Sequence, residues 1–301
     1  MPTKPLIMQM ETEDTATGSA WTASSLKNFG TIFPIEPCSC IYALLKATAV
    51  TDAATHEQAV TELLNGLEVD LAGFGIVHRS FGGKDWLALL RALYGAKSLA
   101  YRGAQANDAW GTLPIPIPFG FPFGSEVMAA PPKARGSWTG WTKMGTSSHL
   151  DGLHLAYVAD IIKGATPSEI LTSDYLSVTA VAAEADQVAF IRQGKLIGIL
   201  LYDTTAYDTT SLRLLVDGVG IDFDSYIFAE QARNYLKKYG GDWAGGEETA
   251  SDCDAEHYTW ISLGEDPAAW PDVSGKQVTV RATCATAEAK RFIPVMARTV
   301  A

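Results

Sequence analysis

Between Leu113 and Phe123 the chain reads LPIPIPFGFPF. Pro114, Pro116, Pro118 and Pro122 fall on one side of an extended ribbon, and Leu113, Ile115, Ile117, Phe119, Phe121 and Phe123 on the other. Proline has no N–H to give to a ladder, so this ribbon cannot be a fully paired central strand; it forms a sheet edge or lies over other apolar surface. Six large apolar side chains, each worth roughly 1.5 to 3 kcal/mol when buried, are too many to leave in water. The segment is therefore expected to enter a β-sandwich through Leu113, Ile115 and Ile117. It then leaves, placing Phe119, Phe121 and Phe123 at a domain junction or subunit contact, with Trp138 and Trp141 as further contact candidates.

The remaining pattern is mostly β. Short runs rich in Val, Ile, Thr, Tyr and Phe alternate with Gly, Pro, Asp and Thr clusters, predicting strands at Ser39–Lys46, Glu68–Val77, Leu153–Asp160, Tyr175–Ala183 and Val188–Arg192. Others are predicted at Leu196–Asp203, Leu212–Val216, Tyr258–Leu263, Gln277–Cys284 and Phe292–Ala297. Helical spacing is confined to Trp86, Leu90 and Leu93 and to Ala232, Tyr235 and Tyr239, which gives one short amphipathic helix in each half. Ala129–Ser148 lacks clear periodicity and is expected as a long surface loop.

The two helices sit in similar surroundings. A shift of 145 lays Val69–Gly95 over Leu214–Gly240 without a gap, matching Gly73/Gly218, Gly75/Gly220, Ile76/Ile221, Ser80/Ser225, Tyr94/Tyr239 and Gly95/Gly240. The same shift carries Leu113, Ile115 and Ile117 onto Tyr258, Trp260 and Ser262. A second likeness, Tyr175–Ala185 with Thr279–Ala289, comes at a shift of 104, which implies 41 extra residues in the first half. A period this long denotes a duplicated domain, not a solenoid. The expected division is an N-terminal arm over 1–30, a first unit with a long loop insertion over 31–190, and a second unit over 191–301.

Charge and motifs exclude several classes of function. With 23 Lys+Arg against 34 Asp+Glu the net charge is −11, and no basic cluster suited to phosphates occurs, so direct nucleic-acid binding is not expected. Met1–Thr22 has no apolar signal-peptide core and no run reaches the ~20 residues of a membrane span, so synthesis in a host cytoplasm is expected. Cys38, Cys40, Cys253 and Cys284 are read as reduced thiols, with Cys38 and Cys40 on one strand face and too few neighbours for zinc. His56, His78, His149, His154 and His257 are scattered, and no nucleotide-binding, zincin or nucleophile-elbow motif is present. Asp252, Asp254 and Glu256, and Asp217, Asp222 and Asp224, lack EF-hand spacing. The reading is of no enzyme, no catalytic residue, no metal site and no cofactor. Trp138, Trp141, Trp243, Trp260 and Trp270 leave an alternative open: a carbohydrate-binding jelly-roll module, or a virion spike or receptor-binding protein.

Two tandem all-β units, each with a strand, a Gly turn, a helix ending in Tyr-Gly and a following aromatic or Pro-rich strand, resemble the double jelly-roll major capsid proteins of tailless icosahedral viruses. That lineage includes tectiviruses, corticoviruses and the adenovirus hexon. The resemblance rests on LRLLVDGVGIDF followed by NYLKKYG, on LPIPIPFGFPF, and on the closing pair QVTVRATCATAEAKRFIPVMA. It implies two tandem jelly-roll β-sandwiches, each with a short inserted helix. It also implies a structural subunit of a virion, for example of a bacteriophage. Such a subunit forms homotrimers that pack as pseudo-hexagonal capsomers beside penton or minor capsid proteins, commonly around an internal membrane.

Overall fold

The computed structural model describes residues 6–15, 20–28, 36–50, 64–71, 74–94, 113–122, 124–132, 138–146, 150–220, 227–228, 257–264 and 266–300. The chain divides into two compact units, one running through Leu171 and the other from Thr172 to Thr299. The first unit contains β1 (Leu6–Thr15), β2 (Ala20–Asn28), β3 (Cys38–Val50), β4 (Leu64–Leu71) and β5 (Gly75–Ser80). Helix α1 (Gly83–Tyr94), β6 (Leu113–Pro118), β7 (Trp138–Thr146) and β8 (Leu150–Ile161) follow. Strand β9 (Glu169–Asp174) carries the chain across the division. The second unit has β10 (Leu176–Thr179), β11 (Glu184–Ile191), β12 (Lys195–Asp203), β13 (Thr209–Val216) and β14 (Val219–Gly220). It continues with β15 (Ile227–Phe228), β16 (Tyr258–Ser262), β17 (Gln277–Cys284) and β18 (Ala289–Thr299).

Pairing defines the architecture. In the first unit one antiparallel sheet has the order β1-β8-β3-β6, and the other runs β2-β7-β4-β5. In the second unit the orders are β10-β18-β12-β16 and β11-β17-β13-β14, with β15 an extra two-residue pairing on β13. Numbered from one to eight within each unit, both read first-eighth-third-sixth and second-seventh-fourth-fifth. That is the jelly roll, and it occurs twice. In the second unit Phe190, Leu201, Leu214, Ile261, Val280 and Phe292, drawn from both sheets, pack in one buried cluster. Ile41, Val69, Ile117 and Tyr157 are buried in the first unit.

Helix α1 forms where the spacing of Trp86, Leu90 and Leu93 predicts it. Asp85 in its first turn and Arg91 in its last complement the helix dipole. The second predicted helix lies outside the described residues.

Several expectations change. Residues 6–15 and 20–28, read as part of an arm, form β1 and β2, because a strand at a sheet edge needs only one neighbour and tolerates a polar composition. The predicted loop at 129–148 contains β7, which pairs with β4 and β2; Gly140 and Gly145 hide its alternation. Glu68–Val77 is not one strand but the β4/β5 hairpin. The division falls at 171/172 rather than 190/191, since β10 and β11 pair with β18 and β17. For the same reason Tyr175–Ala185 opens the second roll while Thr279–Ala289 closes it, so the 104-residue shift and the 41-residue insertion have no structural counterpart.

The 145-residue shift aligns corresponding hairpins, offset by one residue. Gly75 faces Leu71, whereas Val216 faces Val219 and Gly220 faces Leu215. Asp217 and Gly218 turn the second hairpin with φ of 49° and 79°.

Gly194, between β11 and β12, has φ of 107°, and a Cβ there would collide with the Ala297 carbonyl oxygen. Gly275, at φ 73°, faces open space. Gly194→Ala should therefore lower unfolding stability by about 2 kcal/mol or more, against about 1 kcal/mol for Gly275→Ala, as read by chemical denaturation.

Candidate functional site

The proline ribbon takes the edge position that its missing donors require. Strand β6 ends the β1-β8-β3-β6 order, with Ile117 opposite Ile41 and Ile115 opposite Ala43, and both isoleucines are buried. Just beyond it, Phe119 N–H donates to the Ser39 carbonyl at 2.8 Å. By strand parity the N–H groups of Ile115 and Ile117 then face β3, while the prolines turn their donor-free nitrogens and their carbonyls away. Two of those outward carbonyls are capped. Trp86 Nε1–H of α1 donates to Pro116 O at 2.9 Å, and His78 Nε2–H of β5 donates to Pro118 O at 2.7 Å.

The candidate contact residues separate. Phe119 is fully buried, its ring 5.5 Å from that of His78, and its carbonyl accepts from Leu171 N–H. Phe121 is half-buried with its ring 5.6 Å from Tyr94, whose hydroxyl donates to Gly120 O. Phe123 lies outside the described residues. Trp138 and Trp141 stand on β7 opposite Leu71 and Glu68.

Burial depresses the pKa of His78 to about 4, partly offset by the Pro118 bond, so the ring is neutral at pH 7. Burial pushes the thiols of Cys38 and Cys40 well above their ordinary value. A β-bulge opposite Ile161 and Asp160 interrupts the expected alternation, and Cys38, Ser39 and Cys40 are all buried. These thiols are inert, and Cys284 is likewise free and buried. No cluster among the described residues could hold a metal ion. Trp260 and Trp270, two of the side chains considered for sugar stacking, are buried, with Trp270 Nε1–H donating to Gly264 O. Trp243, His56, His149 and the acidic groups at 222–224 and 252–256 lie outside the described residues. Asp217 accepts from Gln277 N–H beside its turn.

One polar cluster escapes any reading of local sequence. In the second unit Lys290 Nζ, with a fully buried side chain, donates to Asp203 Oδ1 at 2.6 Å, Asp208 Oδ2 at 2.7 Å and Glu288 Oε1 at 3.1 Å. Thr209 supplies further donors to Asp203, Thr286 to Asp208 and Thr205 to Glu288. Burial works against the Lys290 charge, but its bonds to Asp203 and Asp208 outweigh that and raise its pKa. Burial likewise opposes ionisation of Asp208 and Glu288, yet their hydrogen bonds leave both more acidic than usual. The cluster ties the start of β18 to the turn between β12 and β13. It acts as a structural clamp.

Comparison with solved structures places this geometry. The chain is similar to the major capsid protein P2 of bacteriophage PM2 at 12% identity and a TM-score of 0.62, covering 96% of this chain and 98% of that one. It is also similar to the STIV major capsid protein, at 11% identity and a TM-score of 0.60, with 95% and 96% covered. For the PBCV-1 capsid the values are 8% and 0.58, with 98% and 94% covered. The fold is therefore that of double jelly-roll capsid proteins, in agreement with the strand orders. No family model matches the sequence. No curated protein matches it either.

Two outcomes test these sites. The folded state holds His78 at about 4 against an unfolded value near 6.5, so folding favours the neutral ring; stability should be complete above pH 6.5 and fall by about 3 kcal/mol toward pH 4. In His78→Gln that part of the pH dependence, measured by denaturant titration, should vanish. Lys290→Met leaves buried carboxylates uncompensated and should cost about 3–5 kcal/mol, visible as a lowered denaturation midpoint.

Proposed function

We propose that this chain is a major capsid protein, a non-catalytic tile that assembles with copies of itself into an icosahedral viral shell and resides in the virion. The observation that carries the reading is the identical strand order of the two rolls, together with a likeness to capsid proteins along nearly the whole of both chains. Two rolls in one chain give a trimer six similar edges, and six-edged tiles pack a surface without gaps. The trimer is the assembly unit in this reading, with penton or minor capsid proteins filling the positions that six-edged tiles cannot.

The chemistry supports the same role. Buried thiols, a neutral buried histidine and a closed ionic cluster stabilise a frame and offer nothing to a substrate. A net charge of −11 suits a tile separated from the genome by another layer, such as an internal membrane, and does not suit direct packing on nucleic acid.

Purified protein examined by light scattering and electron microscopy should form trimers or shell fragments; a monomer at every concentration would overturn the proposal. Phe121→Asp, at a half-buried position outside the main core, should reduce assembly by a larger factor than it reduces the chain's own stability. Equal losses of both would assign Phe121 to the core.

A further inference from the structure

Strand β13 sends Leu212, Leu214 and Val216 into the core of the second unit, so Arg213 stands on its outer side. Register sets Arg213 directly opposite Arg281 of β17, and Arg281 opposite Asp186 of β11. Arg281 Nε donates to Asp186 Oδ1 at 2.5 Å, so that carboxylate is engaged. Arg213 is half-buried, its Nε is shielded from water, and it makes no hydrogen bond or ion pair among the described residues. Like charges directly across a ladder repel, and among the described residues this row sets two arginines against one carboxylate, Asp186.

The corresponding position in the first unit carries one. Strands β4 and β13 are each fourth in their roll, each leads into a hairpin, and the buried Leu67, Val69 and Leu71 correspond to Leu212, Leu214 and Val216. Glu68 therefore occupies the place of Arg213, with Asp70 two residues further along the same outer side. Both are half-buried, and neither has a hydrogen bond or ion pair among the described residues.

We propose that these faces meet between copies of this chain, the outer side of β13 and β17 around Arg213 docking on the outer side of β4 in a second copy, where Glu68 and Asp70 supply the carboxylates. The inference rests on the shell reading and names a contact within it. A second copy is the occupant because this sequence itself provides the matching charge at corresponding positions of a repeated strand. The contact joins unlike units, so it is heterologous and continues around a ring or lattice. Trp141 lies at the register position opposite Glu68, in the same row.

The test is a charge swap in the full chain. Arg213→Glu and Glu68→Arg alone should each weaken self-association about tenfold or more, with thermal unfolding unchanged, and the double variant should recover it. Raising salt should weaken wild-type assembly, and Arg213→Gln, the milder variant should either reversal fail to fold, should flatten that salt dependence. Shells formed by Arg213→Glu as readily as by wild type, a double variant that does not recover, or an unchanged salt dependence in Arg213→Gln would overturn the docking and leave the shell reading standing. A monomeric wild type would overturn both.

Discussion

The first roll is organised around an edge that cannot donate. Alternate prolines strip the outward side of β6 of N–H groups, while Ile115 and Ile117 keep the inward ladder to β3. An edge made only of acceptors cannot extend a sheet by ordinary pairing, which protects it from a neighbouring strand. Its carbonyls still need donors once buried, and Trp86 and His78 provide them. Those two bonds tie α1 and β5 to the edge, and Phe119 lies buried with its ring 5.5 Å from that of His78. Strand β16, sixth in the second roll, contains no proline, so the donor-free edge is not repeated there.

That edge was legible in the sequence because a proline's lost donor is a local fact. Strand β17 was legible too, with Gln277–Cys284 emerging as read, and so was α1 from Trp86, Leu90 and Leu93. The misreadings share a cause. Strands β1, β2 and β7 owe their place to backbone pairing with distant partners, and their side chains carry little apolar alternation to announce it. At Cys38–Cys40 alternation misled in the opposite sense, since the bulge opposite Asp160 depends on the partner strand. Glu68–Val77 looked continuous because a short turn interrupts apolar runs that both belong to the core.

The ionic clamp shows the same limit at a site. Asp203 ends β12, Asp208 lies in the following turn, Glu288 just precedes β18 and Lys290 lies at its start, so no window of sequence contains the cluster. Only the roll topology brings those segments together. Burying a lysine with three carboxylates is tolerable because threonine donors and backbone N–H groups satisfy the remaining lone pairs. The cluster thereby joins the turn after β12 to the start of β18 through buried, fully partnered charges.

The two rolls also explain why so little sequence repeats between them. Identical pairing demands apolar residues at alternating inner positions, which many sequences satisfy, and a positive φ wherever a hairpin turns. Even there the solutions differ: Gly75 at φ 69° follows one turn, while Asp217 and Gly218 form the other. Outer positions are free of the core's demands and diverge furthest, acidic at Glu68 and basic at Arg213. In the proposed docking, Arg213 of one copy meets Glu68 and Asp70 of another, a pairing that two identical rolls would not offer. Under the proposed role, that divergence lets a duplicated chain favour contacts between unlike rolls and so select one lattice among the several that its shape alone would permit.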